Sequence, residues 1–233
     1  MEEYKENFIE FLLDKGALKI GEFKLKSGRI SPYFINTGVF GDGESIGKLG
    51  HYYAAKIMDR FNGEFDIIFG PSYKGIPLSV ATTIALSRYF GRCKGYAFNR
   101  KIPKDHGEAT KHDKQKSWIV GQKIEDGDKI IIIDDVLTTG GSKYESIELL
   151  NSVADNLHYT GLIIAVDREE IGEDGKNAIK EFQEKTKTPV EPIVTIREII
   201  AYLEDAERVP NKEIHRLKKY LRKYGTQEAK KAL

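Results

Sequence analysis

Four consecutive isoleucines, residues 130–133, lead directly into the adjacent carboxylates of Asp134 and Asp135, and a helical pattern follows over residues 143–154. Two other segments share this order: an apolar run at 67–69 precedes a helical pattern at 76–90, and another at 162–166 precedes a charged turn. Short apolar runs separated by helices are typical of parallel strands that are covered on both faces. The sequence therefore predicts an α/β fold, with a central, mainly parallel sheet flanked by helices.

Composition narrows the class of protein. The chain has 233 residues, of which 40% are hydrophobic and 31% charged, so it suits an ordinary globular domain with a substantial core. A net charge of +1 offers no overall attraction to nucleic acid or to an anionic membrane, and neither is expected as a partner. Cys93 is the single cysteine, which excludes an intrachain disulfide. An acidic start and the lack of a long apolar run predict a cytoplasmic location.

The two aspartates stand where the strand leaves the core, and ligands of open α/β sheets bind beyond the carboxyl ends of the strands. Successive side chains of a strand point to opposite faces of the sheet. Both carboxylates can therefore bind one ligand only if the chain turns immediately after them. Residues 137–142, LTTGGS, supply glycines for that curl and hydroxyls that cap the next helix, whose N–H groups bind phosphate. These features predict a ribose 5-phosphate site. The alternative is an exposed acidic turn after a core strand.

Common nucleotide-binding motifs do not explain the chain. Gly47 and Lys48 suggest a P-loop, but position 42 is Asp and position 49 is Leu, so the pattern fails at both ends. The glycines at 41, 43 and 47 have one residue too many for the dinucleotide fingerprint.

The segment IDDVLTTG, residues 133–140, resembles the motif that binds 5-phosphoribosyl 1-diphosphate in type I phosphoribosyltransferases. Four further segments resemble the orotate phosphoribosyltransferases of that family. They are a substrate hairpin at 24–34, a diphosphate loop at 70–78, a catalytic loop containing 99–101 and 104–108, and the segment DREE at 167–170. All five occur in the family's order.

This resemblance implies a type I phosphoribosyltransferase fold with a small N-terminal hood and a long flexible catalytic loop. One domain would span residues 1–205, with the N-terminal helix and substrate hairpin in about 1–40 and the mobile loop in about 100–120. The loop is longer than is usual in the family, because residues 109–118 are inserted. Residues 206–233 would form a basic helical C-terminal extension.

The implied reaction transfers the phosphoribosyl group to orotate and forms orotidine 5′-monophosphate and diphosphate in UMP biosynthesis. Mg²⁺ is the implied cofactor, and a homodimer is implied because the catalytic loop would reach the neighbouring active site. Two alternatives stay open: a phosphoribosyltransferase for another base, and a non-catalytic nucleotide-sensing regulator on the same fold. A phosphoribosyltransferase for another base should lack the substrate hairpin. A non-catalytic regulator should have lost residues of the catalytic loop.

The site residues follow from matching positions in the family motifs. The implied catalytic residues are Lys104, His106, Asp134 and Asp135. The residues implied for 5-phosphoribosyl 1-diphosphate are Lys26, Tyr73, Lys74, Arg100, Lys101, Lys104, His106, Asp134, Asp135, Val136, Leu137, Thr138, Thr139, Gly140, Gly141 and Ser142. Those implied for orotate are Phe34, Ile35, Thr138 and Arg168, whose planar fork suits a carboxylate. Mg²⁺ would be held mainly through diphosphate and water, near Asp134 and Asp135, with no direct protein ligand.

Overall fold

A computed structural model describes residues 1–25, 27–104, 110–137 and 141–233. The helices within these ranges are α1 (Glu3–Asp14), α2 (Gly43–Phe61), α3 (Gly75–Phe90), α4 (Lys111–Trp118), α5 (Gly141–Asn151), α6 (Ala178–Thr186), α7 (Ile196–Asp205), α8 (Asn211–Tyr224) and α9 (Gln227–Lys231). The strands are β1 (Leu18–Lys24), β2 (Ile30–Ile35), β3 (Ile67–Gly70), β4 (Gly95–Asn99), β5 (Ile119–Gly121), β6 (Lys129–Asp134), β7 (His158–Asp167) and β8 (Val190–Thr195).

The main sheet has the strand order β5-β4-β3-β6-β7-β8 in the described part of the chain. All neighbouring strands pair in parallel, except that the edge strand β5 runs antiparallel to β4. The predicted mainly parallel sheet is thus confirmed. Strands β1 and β2 form a separate antiparallel hairpin.

The isoleucine run is the central strand β6, which is buried on both faces. Ile131 and Ile133 belong to the core shared with α1, α2 and α7, whereas Ile130 and Ile132 belong to the core shared with α5 and α6. All four side chains are fully buried, and each contributes about 1.5–3 kcal/mol to folding by leaving water. The strand that carries the aspartates is consequently fixed from both sides.

The chain reverses its strand order between β3 and β6. From β3 it continues outward to β4, while β7 and β8 follow β6 in the opposite direction. The carboxyl ends of β3, β4, β6 and β7 meet at one edge of the sheet, since these strands are parallel. Loops that diverge at such a point leave a crevice for a ligand.

Helix α2 begins at Gly43, two residues before the apolar periodicity that predicts a helix over residues 45–61. The Asp42 side chain accepts a hydrogen bond from the Ser45 backbone N–H at 2.8 Å, and the Ser45 hydroxyl faces back to Asp42. This reciprocal cap supplies partners for N–H groups that the first turn leaves unpaired, so the helix extends further than its apolar periodicity indicates.

The C-terminal residues pack on the domain as an amphipathic helix. Ile214, Leu217 and Leu221 on α8 are buried in the core that also contains α7, and the lysines and arginines of α8 lie largely on its outer surface. Among the helices that the structure describes, none has the length and apolarity needed to cross a membrane.

Gly50 sets the close approach of α2 and α3, because a Cβ at this position would lie 2.5 Å from the backbone carbonyl carbon of Ala81. We expect Gly50→Ala to lower the free energy of unfolding by about 1–3 kcal/mol, since the helices must separate. Gly47→Ala on the same helix is the matched control, because a Cβ there meets no atom within 4 Å. Gly47→Ala should instead raise the free energy of unfolding by about 0.5–1 kcal/mol, because glycine is unfavourable within a helix. Urea unfolding measures both, and equal stability of the two variants would contradict this packing.

Candidate active site

The carboxylates of Asp134 and Asp135 lie at the end of β6 and are each only 6% exposed. The Tyr53 hydroxyl donates to the Asp134 carbonyl at 2.8 Å, and the Ala165 N–H donates to the Asp135 carbonyl at 3.0 Å. Neighbouring elements α2 and β7 therefore hold the backbone of the pair. The chain places two negative charges in a rigid and nearly dry position.

Lys143 neutralises the first of these charges. Its ammonium forms an ion pair with Asp134 Oδ2 and also donates to the Val136 carbonyl at 2.9 Å. The Lys143 side chain is only 8% exposed, so α5 fixes a buried counter-ion beside the strand end. Sequence reasoning missed this residue, because its pairing depends on how α5 docks and not on a local pattern.

Lys74 and Thr37 hold the second carboxylate. Lys74 Nζ lies 2.5 Å from Asp135 Oδ2, and the Thr37 hydroxyl donates to the same oxygen at 2.8 Å. The Lys74 side chain is 60% exposed, in contrast to Lys143. The two aspartates thus have different counter-ions, one enclosed and one open to solvent. Thr37 was also missed, because it lies 98 residues from Asp135 along the chain.

The two carboxyl groups differ in proton affinity. Burial raises the pKa of Asp134, and the charge and hydrogen bond of Lys143 only partly offset that effect. Burial acts in the same direction on Asp135, but the hydrogen bonds from Lys74 and Thr37 outweigh it and hold the pKa of Asp135 below its ordinary value. Asp135 is accordingly the more firmly ionised member of the pair.

The loop after β3 is attached to the end of β4. The Ser72 N–H donates to Asn99 Oδ1 at 3.0 Å, and the Ser72 hydroxyl donates to the Asn99 carbonyl. Tyr73 is 71% exposed in this loop, next to Lys74. A cleft of about 400 Å³ opens here, which we call the edge cleft; it is lined by Pro71, Ser72, Asn99, Arg100, Lys101, Trp118, Ser142, Glu145, Ser146 and Leu149. The edge cleft brings together the loop after β3, which is predicted to bind diphosphate, the start of the predicted catalytic loop after β4, and the N-terminal end of α5.

The described part of the catalytic loop has an ordered base. The Arg100 N–H donates to the Trp118 carbonyl at 2.8 Å, and Lys104 exchanges hydrogen bonds with Ser117 at 3.3 and 3.0 Å. Lys101 and Lys104 are exposed. Within the predicted insertion at 109–118, residues 111–118 form helix α4, and β5 follows it directly, so this stretch folds onto the edge of the sheet.

Arg168 follows β7 and lies against the hairpin. Its guanidinium carbon is 4.8 Å from the centre of the Tyr33 ring, and its Nε and Nη2 donate to Glu170 Oε1 at 3.1 and 2.8 Å. Phe34 packs instead against Phe23, with ring centres 5.5 Å apart. Since side chains alternate along a strand, Ile35 shares the face of Tyr33, and Phe34 lies on the other face of β2. The structure therefore does not bring Phe34 and Arg168 together on one face.

The remaining implied residues lie around the end of β6 or outside the described ranges. The Val136 N–H donates to Asp135 Oδ1 at 2.9 Å, and Leu137 packs on the core of α5 and α6. Gly141 and Ser142 begin α5. Lys26, His106, Thr138, Thr139 and Gly140 fall outside the residues that the structure describes.

In the described ranges, no group of three or more His, Cys, Asp or Glu side chains could hold an ion. Asp134 and Asp135 are neighbours, but each already has a lysine partner. This donor set suits a cation that arrives with oxygen ligands of its own, as Mg²⁺ does with phosphates and water.

Comparison with known proteins agrees with this geometry. Residues 40–187 match the family described as phosphoribosyl transferase domain. The chain is 45% identical over 203 residues to an orotate phosphoribosyltransferase of Lachnoclostridium phytofermentans, covering 87% of both proteins. It is 42% identical to one of Clostridium acetobutylicum, covering 97% of this chain and 99% of the relative.

A solved structure gives the same result. The crystal structure of orotate phosphoribosyltransferase from Francisella tularensis superposes with a TM-score of 0.81 at 36% identity, covering 94% of this chain and 100% of the other. With the strand order, the aspartate pair and the edge cleft in place, the fold is that of the type I phosphoribosyltransferases, and the chain belongs to the orotate phosphoribosyltransferase family.

Proposed function

We infer that the protein transfers the 5-phosphoribosyl group of 5-phosphoribosyl 1-diphosphate to orotate, forming orotidine 5′-monophosphate and diphosphate for UMP synthesis. The observation that carries this function is the buried pair Asp134 and Asp135, each with its own lysine, at the strand end beside the edge cleft. Relatives that are 45% and 42% identical support orotate as the base.

Ribose binding would use the acceptor sites that remain on the aspartates. A carboxylate has about four lone-pair sites, so the 2- and 3-hydroxyls can donate to Asp134 and Asp135 without expelling Lys143. Because the Lys74 side chain is largely exposed, moving its ammonium from Asp135 to another partner costs little free energy. We propose that Lys74 leaves Asp135 for the incoming diphosphate, together with Tyr73 of the same loop. Backbone N–H groups of residues 138–142 would bind the 5-phosphate.

Catalysis would rest on position and charge. A ring nitrogen of orotate forms its bond to C1 of the ribose as the bond from C1 to the diphosphate oxygen breaks. Positive charge develops on the sugar, and the fixed carboxylates at the end of β6 stabilise it. Lys104 and His106 would stabilise or protonate the departing diphosphate, and Arg100 and Lys101 would bind it. Closure of this basic loop would exclude water.

Mg²⁺ would be held by diphosphate oxygens and water near Asp134 and Asp135, and it would neutralise charge on the leaving group.

We further propose a homodimer in which the catalytic loop of one subunit reaches the active site of its neighbour. The cytoplasmic location predicted from the sequence belongs to this proposal. Orotate would contact Ile35 and Thr138, and its carboxylate would bind Arg168. Phe34 has no part in this proposed contact, because it lies on the other face of β2.

The substrate assignment is tested by incubating pure protein with 5-phosphoribosyl 1-diphosphate, Mg²⁺ and either orotate, uracil, adenine or hypoxanthine. We expect loss of orotate absorbance and formation of orotidylate, with little turnover of the other bases. Chelation of Mg²⁺ by EDTA should abolish the activity. Turnover of a purine in place of orotate would identify another phosphoribosyltransferase, and no turnover of any base would favour the non-catalytic regulator.

Lys104 is tested by Lys104→Ala. We expect kcat to fall about 100-fold or more, because one preorganised donor to the leaving group is lost. Lys116→Ala on α4 is the matched control, since it removes an exposed lysine of the same basic segment that has no assigned role. Thermal unfolding checks that both variants keep their fold. If kcat of the Lys104 variant stays within twofold of the parent, that lysine has no part in the mechanism.

Lys143 is tested through the pH dependence of kcat/KM. Burial already raises the pKa of Asp134, and Lys143→Met removes the charge that opposes this shift. The carboxyl then ionises only at higher pH, so the acidic limb of the profile should move upward by about one pH unit or more.

Lys56→Met is the control for that experiment. It breaks a comparably buried pair, Lys56 with Glu191 at 3.3 Å, away from the end of β6. It should weaken the fold but leave the acidic limb in place. An unmoved limb in folded Lys143→Met protein would show that Lys143 does not control the ionisation of Asp134.

A further inference from the structure

The C-terminal extension reaches the side of the site where Arg168 lies. The Tyr220 hydroxyl of α8 donates to Glu170 Oε2 at 3.1 Å, and the other oxygen of Glu170 accepts from Tyr33 and Arg168. The Tyr33 and Tyr220 rings meet edge to face, with centres 6.1 Å apart. One carboxylate thus joins the hairpin, the segment after β7 and the C-terminal helix.

Among the residues that the structure describes, the hydrogen bonds of Arg168 to Glu170 leave part of the guanidinium free for a ligand. Glu170 takes the edge formed by Nε and Nη2. A guanidinium has five N–H donors, so the end formed by Nη1 and Nη2 can still bind a planar carboxylate through two parallel hydrogen bonds. The face of the guanidinium rests on the Tyr33 ring. Glu170 and Tyr33 therefore fix both the tilt and the rotation of Arg168.

The backbone that carries Glu170 is clamped by the same C-terminal residues. The Ile171 N–H donates to the Tyr224 carbonyl at 2.9 Å, and the Thr226 N–H donates to the Glu169 carbonyl at 2.7 Å. Glu170 and Gly225 form an isolated antiparallel bridge between these bonds. A turn alone would leave this segment free to move, whereas the bridge sets the position of Glu170.

A second clamp acts from α7. Glu169 has a φ of 50°, a left-handed conformation that is unfavourable for a residue with a side chain. Its buried carboxylate accepts hydrogen bonds from Arg197 Nε at 2.8 Å and from the Arg197 backbone N–H at 3.2 Å. These contacts hold the turn that separates Arg168 from Glu170.

Tyr220 remains a donor at neutral pH. Burial, followed by the charge of Glu170, raises the pKa of Tyr220 to about 12. The Glu170 side chain is only 11% exposed, and water has little access to replace the tyrosine. Loss of the hydroxyl would leave one oxygen of a nearly buried carboxylate without this partner, and Glu170 could then rotate with Arg168.

We propose that the C-terminal extension is a working part of the base-binding site, in which Tyr220 is a positioning residue that acts through Glu170 to present the open end of Arg168 to the carboxylate of the base. This inference rests on the proposed function, in which Arg168 binds the carboxylate of orotate. It assigns the extension to substrate selection and not to stability alone.

The test is Tyr220→Phe, which keeps the ring contact with Tyr33 and removes only the hydroxyl. We expect the KM for orotate to rise about three- to tenfold, as befits one hydrogen bond to a charged group. The KM for 5-phosphoribosyl 1-diphosphate should stay within twofold, because the diphosphate side is untouched. A merely structural role would change both constants or neither.

Tyr202→Phe is the matched control, since it also deletes a tyrosine bond to a glutamate, Glu10 of α1, which takes no part in this network. It should leave both KM values unchanged at a similar cost in thermal stability. Arg168→Ala should raise the KM for orotate about 30-fold or more. In that background Tyr220→Phe should have no further effect, because the hydroxyl acts only through Arg168.

The outcomes distinguish the role of Tyr220 from the proposed role of Arg168. If Arg168→Ala raises the KM for orotate but Tyr220→Phe leaves it within twofold of the parent, the inference fails and the proposed role of Arg168 stands. An equal effect of Tyr220→Phe with and without Arg168 would also overturn the inference. If Arg168→Ala leaves the KM for orotate unchanged, the assignment of Arg168 in the proposed function fails and this inference fails with it.

Discussion

Two buried carboxylates, each paired with a lysine at the end of the central strand β6, are the constraint on which the site depends. Removing a charge from water costs several kcal/mol unless a well-placed partner compensates. Lys143 and Lys74 supply those partners for Asp134 and Asp135, and Tyr53 and Thr37 complete the hydrogen bonding. The fold achieves this because α5, α3 and the short segment after β2 converge on one strand end.

A similar arrangement surrounds Arg168 and Glu170, where the base is proposed to bind. Glu170 is a nearly buried carboxylate that is surrounded by donors, and Arg168 uses only one edge of its guanidinium to satisfy it. In both places, buried partners hold part of a charged group, while another part of it can still bind a ligand. This division lets a charged group remain buried before the ligand arrives and yet make new hydrogen bonds when it binds. Preorganisation of this kind reduces the cost of ordering side chains during binding and catalysis.

Much of the fold could be predicted from local pattern. The isoleucine run predicted a strand buried on both faces, and the aspartates after it predicted the site at the sheet edge. The partners of those aspartates could not be predicted in this way. Lys143, Thr37 and Tyr53 meet the strand end only after helices dock, and no periodicity marks them. The sequence predicted the extension only as a basic helix, because such a helix has the same pattern whether or not one of its tyrosines reaches the network around Arg168.

The bridge between Glu170 and Gly225 has a consequence for how the molecule is made. The hairpin leaves the ribosome early, whereas the residues that fix Arg168 against it are translated nearly two hundred positions later. The strands of the sheet and the aspartate pair with its lysines all precede these residues in the chain, whereas the contacts that fix Arg168 need the C-terminal helix. Under the proposed function, the contacts that orient Arg168 toward the base would then be the last part of the site to form during synthesis.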